Sequence, residues 1–180
     1  FKGPTTNGSL RDIRLIRNGQ QIGSIDFYDY LLSGNTPDDL RLQLDDVVFI
    51  PPRGKTVSIR GEINRQAIYE LKENEGLENL LRFAGNLKNS AYMNRAQITR
   101  IVPFNKRSEM GMDRMIIDFN LQAAVADKKD TELRDGDELV VFSIEERQKN
   151  WVEISGSSVN RPGRYQLNQG MRVIDLINTA

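Results

Sequence analysis

Neither cysteine nor histidine occurs among the 180 residues. Without cysteine there are no disulfides, thiol nucleophiles or zinc–thiolate sites. Without histidine, a Ser-His-Asp triad, an imidazole base and a His-ligated metal are excluded. Long apolar runs are missing as well, and none approaches the ~18 residues that a transmembrane helix needs. Nor is there an excess of either charge: 25 basic and 25 acidic residues give a formal net charge of zero. Nucleic-acid binders usually carry a basic surplus, so no nucleic-acid partner is expected. The lack of cysteine suits a reducing cytosol and a cysteine-poor periplasm equally, so it does not locate the chain. The first residue is Phe1, and Ala180 falls inside an apolar pattern. The expectation is a piece of a longer protein, with any targeting segment outside it.

Hydrophobic residues make up 38% of the chain, enough for packed cores. Residues 12–17, DIRLIR, alternate polar and apolar and lead to Asn18-Gly19, a hairpin signal, with a returning strand from Gln21 to Phe27. A short helical stretch, Tyr28 to Leu32, is closed by Ser33-Gly34-Asn35. Leu42, Leu44, Asp45 and Asp46 lead into a strand, Val47 to Ile50, which Pro51-Pro52 and Gly54 stop. A strand is expected at 56–61 and a second extended segment from Ile63 to Leu71. Leu77, Leu80, Leu81 and Ala84 are spaced as one face of an amphipathic helix, with Gly85-Asn86 as its C-terminal stop. Further strands are expected at 97–102 and 114–119, joined by a polar loop, NKRSEMGMD. A turn from Leu133 feeds a last strand ending at Phe142.

An internal repeat governs the fold reading. Val57, Ile59 and Gly61 recur as Val152, Ile154 and Gly156. Asn64-Arg65 recurs as Asn160-Arg161 after one inserted residue, and Tyr69 and Leu71 as Tyr165 and Leu167. Leu77, Leu80 and Ala84 recur as Val173, Leu176 and Ala180. The stretch 42–49 resembles 133–142, and Ser24-Ile25-Asp26-Phe27 parallels Ile116-Ile117-Asp118-Phe119. Residues 1–54 are therefore expected to be the back part of a first repeat, 55–147 a complete one and 148–180 the front part of a third. Within a repeat the order is strand, strand, helix, strand, strand, turn, strand. One helix across a small mixed sheet is an α+β, β-grasp-like arrangement. About 90 residues per repeat suffices for independent folding.

The pattern V-x-I-x-G, then Val159-Asn160-Arg161-Pro162-Gly163, Tyr165, Leu167 and the following helix resembles the SLBB domain, the soluble-ligand-binding β-grasp. Val57 to Gly85 is similar, with Gln66-Ala67 in place of the usual Pro-Gly. Asp135-Gly136-Asp137-Glu138-Leu139 resembles the family's D-G-D-x-[VI] turn, and Asp45-Asp46-Val47 is a weaker form of it. Tandem SLBB domains imply the outer-membrane polysaccharide export proteins of Gram-negative bacteria. The resemblance then implies a periplasmic, non-catalytic segment, assembled with copies of itself into a ring around polysaccharide. It also implies contact with an inner-membrane co-polymerase or export partner. The alternative is a stand-alone protein that captures a sugar or other small molecule.

No catalytic residue, metal ligand or cofactor is expected. The carboxylate pairs Asp45-Asp46 and Asp135/Asp137 read as turns entering strands rather than as an acid–base or calcium site. The candidate contacts with polysaccharide or a neighbouring subunit are Asn64, Arg65, Asn160 and Arg161, since a guanidinium suits carboxylates and phosphates. The same Asn-Arg pairs also read as turns with solvated arginines. Tyr69 and Tyr165 read as aromatics packed over the helix, or as faces on which a sugar stacks. Trp151 stands at a junction between repeats, while Lys106-Arg107 and the run Asp127-Lys128-Lys129-Asp130 read as solvated loops.

Overall fold

The computed structural model describes residues 5–34, 41–126, 131–144 and 150–180. Asn35, the Asp127–Asp130 run and the expected boundary between 147 and 148 lie outside the described residues. Two units are formed, Phe1–Ile144 and Glu145–Ala180.

In the larger unit, β1 (Ile13–Arg17) and β2 (Gln20–Ile25) form a hairpin whose two-residue turn, Asn18-Gly19, takes positive φ at both positions. That conformation matches the twist of the flanking strands, which is why Asn-Gly is favoured there. The helix α1 (Phe27–Ser33) starts at Asp26, whose carboxylate accepts from the Tyr28 N–H, and ends at Gly34 in the left-handed conformation. A third strand, β3 (Val47–Phe49), lies antiparallel to β1, so the sheet order is β2-β1-β3.

The middle repeat supplies β4 (Lys55–Gly61), β5 (Ala67–Leu71), α2 (Leu77–Phe83), β6 (Ala91–Ile101), α3 (Phe104–Met110), β7 (Arg114–Phe119), α4 (Leu121–Ala126) and β8 (Asp137–Ser143). Its five-stranded sheet runs β5-β4-β8-β6-β7, with β4 and β8 parallel and the other pairs antiparallel. Leu77, Leu80, Leu81 and Ala84 are buried, as their spacing predicts, with Val57, Ile59, Ile98, Leu139 and Val141 in the same core. The architecture is α+β throughout.

Several details depart from the expectation, and the strand expected at 97–102 already begins at Ala91. The stretch read as a polar loop, 105–113, begins with α3, a short helix that buries none of its side chains. Phe104 is 84% exposed there, so no apolar face marks the helix in the sequence. Lys106 and Arg107 thus sit on a helix, where the Arg107 guanidinium donates to the Val102 carbonyl at 2.9 Å. The short α4 was also not legible, because Leu121 is its one buried residue among the described positions. Finally, the expected extended segment from Ile63 becomes a strand only at Ala67, since Asn64 and Arg65 form a turn against the end of α2.

Corresponding parts of the repeats are built alike. The order β2-β1-β3 matches β7-β6-β8. Leu15 pairs with Val48 as Ile98 pairs with Leu139. Two residues further along each strand, Arg17 and Arg100 reach Asp46 and Asp137, at 2.7 and 2.8 Å. Each of these aspartates also accepts the backbone N–H three residues before it, from Gln43 and Arg134, both at 2.8 Å. Asp45 holds the positive φ that Gly136 holds in the middle repeat. The acidic pairs are therefore turn-forming groups, and Asp135 accepts from the Thr56 N–H and hydroxyl.

In the smaller unit, β9 (Trp151–Ile154) and β10 (Gly163–Gln166) pair antiparallel, and α5 (Val173–Thr179) follows. The Arg164 guanidinium lies 4.2 Å from the centroid of the Trp151 ring, a cation–π contact.

Gly61 tests this packing. It has φ +95, and a Cβ on it would lie 1.9 Å from the Val141 carbonyl oxygen. Gly111 has φ +62 with nothing within 4 Å of a Cβ. Gly111→Ala should cost about 1–2 kcal/mol from backbone conformation alone. Gly61→Ala should cost clearly more, because β4 and β8 must separate. Urea unfolding of both variants measures the difference, and equal losses would count against this close approach.

Candidate binding cleft

A cavity of about 240 Å³ opens where the first repeat meets the middle one. Leu10, Tyr28, Leu31 and Leu32 line it from the first repeat, and Arg65, Ile68, Tyr69 and Phe83 from the middle one. The rings of Tyr28 and Phe83 meet edge to face at 5.1 Å, and those of Tyr28 and Tyr69 at 6.4 Å. Burial raises the pKa of both tyrosine hydroxyls. The Tyr28 hydroxyl accepts from the Glu70 N–H, and the Tyr69 hydroxyl donates to the Arg65 carbonyl.

Beside this cleft stands Arg11, whose side chain is 5% exposed. Its Nε donates to both Asp26 oxygens at 2.8 and 3.0 Å. Nη1 and Nη2 each reach a Glu75 oxygen at 2.8 Å, and Nη1 also donates to the Glu70 carbonyl. The guanidinium carbon lies 4.5 Å from the Tyr28 ring centroid and 4.7 Å from that of Phe83. Burial opposes the Arg11 charge, but the bonds to Glu75 and Asp26 outweigh it and raise its pKa. Burial likewise opposes ionisation of Asp26 and Glu75, yet hydrogen bonds from Arg11 hold both carboxyls below their ordinary range. Glu70 adds a second link, accepting from the Ser9 hydroxyl, the Leu10 N–H and the Gly54 N–H.

Of the residues singled out in the sequence, Arg65 and Tyr69 lie in the cleft. Asn64 does not line it; its amide donates to the Gly85 carbonyl at 2.6 Å and shapes the turn behind α2. In the smaller unit, Asn160 and Arg161 are exposed and Tyr165 is half-buried. There the Tyr165 hydroxyl donates to the Arg161 carbonyl, repeating the Tyr69–Arg65 bond. The Arg161 N–H bonds the Ala180 carbonyl as the Arg65 N–H bonds that of Ala84. Both Asn-Arg-Tyr sets thus have a backbone role in the turn, while the arginine side chains are free to meet solvent or a partner.

The cleft is small beside the roughly 300–1,000 Å³ of typical small-molecule pockets. Its size suits one ring or one side chain. Apolar rings supply stacking surface and Arg65 a cationic edge, a combination that fits a sugar face carrying an acidic group, or an apolar side chain beside a carboxylate. Sequence reasoning missed Arg11, Tyr28 and Phe83, whose meeting depends on how the repeats dock.

Residues 56–113 and 151–180 match the SLBB domain family. The chain is an SLBB-containing protein. The matched segments fall on the middle repeat and on the β9–β10–α5 unit. No curated protein matches the chain. In this SLBB-containing chain, residues 5–54 are tied to the repeat series by strand order and by the Arg17–Asp46 pair, since they lie outside the family match.

Two outcomes test the junction. Arg11→Met leaves Glu75 without its guanidinium and Asp26 with Lys72 alone, at 2.7 Å, and should cost about 3 kcal/mol in urea unfolding. The carboxyls of Asp26, Glu75 and Asp46 all sit below their ordinary values, Asp46 at about 2 through its bonds from Arg17 and the Gln43 N–H. Their stabilisation is complete above the ordinary carboxylate values of about 3.9–4.3 and is lost as pH falls through the depressed ones. The urea midpoint should therefore decline between about pH 4 and 2. In Arg11→Met that decline should be shallower.

Proposed function

We propose that this chain is a non-catalytic, periplasmic segment of an outer-membrane polysaccharide export protein, forming part of a translocon wall. The observation that carries this reading is the tandem SLBB sequence, matched twice and embedded in a longer repeat series. A wall of polymer-sized bore needs stacked, rigid modules, and the buried Arg11 network joins two repeats firmly. The carboxyls of Asp26, Asp46 and Glu75 are each held below their ordinary range by an arginine, the opposite of the raised pKa that a general acid needs. Self-association into a ring follows from the same reading, with polysaccharide and an inner-membrane co-polymerase as further partners. Zero net charge fits a lining that must let an acidic polymer pass without trapping it.

The second reading, capture of a small soluble ligand, draws support from the Tyr28–Tyr69–Phe83 cleft. Deleting the gene in its host and measuring surface polysaccharide separates the two. Loss of surface polymer with intact synthesis supports export. Unchanged surface polymer, together with saturable binding of a monosaccharide or uronic acid in calorimetry that Arg65→Ala weakens about tenfold (~1.4 kcal/mol), supports capture.

A further inference from the structure

Leu31 and Ile68 stand at the rim of the cleft between the first two repeats, 57% and 62% exposed, while Phe83 in the same cleft is 2% exposed. An apolar rim over buried rings has area left to cover one further apolar group. Hydrogen-bonding capacity inside is small. The Tyr28 hydroxyl is engaged by the Glu70 N–H and the Tyr69 hydroxyl by the Arg65 carbonyl. Among the described lining residues Arg65 alone is charged, and none is a carboxylate or a side-chain amide. A saccharide brings several hydroxyls, and each one desolvated there without a partner would cost free energy. A hydrocarbon side chain brings none.

The edge of the cleft is cationic. Arg65 lines it and is exposed, and the exposed Arg82 holds its guanidinium carbon 5.2 Å from the centroid of the Phe83 ring. Neither side chain has an ion-pair partner among the described residues, whereas Arg11, Arg17 and Arg100 are each held by a carboxylate. A guanidinium without a partner, presented at the surface, complements a carboxylate on an incoming ligand.

We propose that the cleft docks a partner protein through one leucine- or phenylalanine-sized side chain flanked by acidic residues. That side chain enters between Leu31 and Ile68 and rests on the Tyr69 and Phe83 rings, while the flanking carboxylates meet Arg65 and Arg82. A volume of about 240 Å³ holds one such side chain and no more, so the partner is read as a short acidic segment with a single apolar anchor. Charge complementarity selects this occupant over a basic segment, and the scarcity of hydrogen-bonding groups selects it over a sugar. The inference uses the cleft of the capture reading with a different occupant, and it does not rest on the export reading.

The test titrates the isotope-labelled 180-residue chain with a tripeptide probe, acetyl-Glu-Phe-Glu amide, and follows backbone amide resonances. Saturable shifts should appear at Leu32, Arg65, Ile68 and Tyr69, with a dissociation constant on the order of 1 mM for so small a probe. Acetyl-Lys-Phe-Lys amide should bind about tenfold more weakly, and acetyl-Glu-Ser-Glu amide should not saturate. Arg65→Gln and Arg82→Gln, both at exposed positions, should each weaken the first probe about threefold, the size of an exposed ion pair. Amides away from the cleft should keep their positions in both variants, which separates lost contact from lost fold. Equal binding of the Glu and Lys probes, or no saturable shift at the cleft, would overturn the proposal. So would glucuronic acid shifting these amides where the Glu probe does not, an outcome that assigns the cleft to a sugar. Surface polysaccharide in the deletion strain is a separate readout, so this proposal and the export reading fail independently.

Discussion

A buried guanidinium must have its charge answered within hydrogen-bonding distance, and Arg11 organises the junction of the first two repeats for that reason. One of its carboxylates, Asp26, is also the N-cap of α1; the other, Glu75, stands two residues before α2. Satisfying Arg11 therefore sets the position of both helices. The Tyr28 and Phe83 rings against its guanidinium exclude water and strengthen each ion pair by lowering the local dielectric. Those same rings line the cleft, so the cavity follows from the docking that Arg11 enforces.

Inside each repeat a second arginine–carboxylate pair fixes a turn. Arg17–Asp46 and Arg100–Asp137 tie the first strand of the back half to the turn that enters its neighbour. The aspartate closes its own turn through a backbone N–H, and the arginine then pins that turn to the sheet. Charge is spent on architecture here. Arg65 and Arg161, by contrast, keep their side chains exposed.

Legibility in the sequence tracked the range of the interaction. The Asn18-Gly19 hairpin and the helix over Leu77–Ala84 depend on near neighbours, the Val57–Ile59 strand shows in its β-branched alternation, and each stands where the pattern put it. The helices α3 and α4 were hidden because neither presents a repeating apolar face. Of the cleft, Arg65 and Tyr69 were visible as repeated residues, though repetition alone could not separate a turn role from a binding role. Arg11 carried no signal, since its partners lie 15 and 64 positions away.

The sequence by itself determined the SLBB family, the α+β repeat and the exclusion of cysteine and histidine chemistry. These are properties of composition and of short-range periodicity, which every copy of the pattern states again. Only the tertiary structure decided that the first two repeats dock around Arg11, with Glu70 as a second link, and that a small aromatic cleft results. Those outcomes depend on which desolvated charges and apolar faces meet across the fold. That choice is settled by complementarity between distant segments and leaves no local pattern to read.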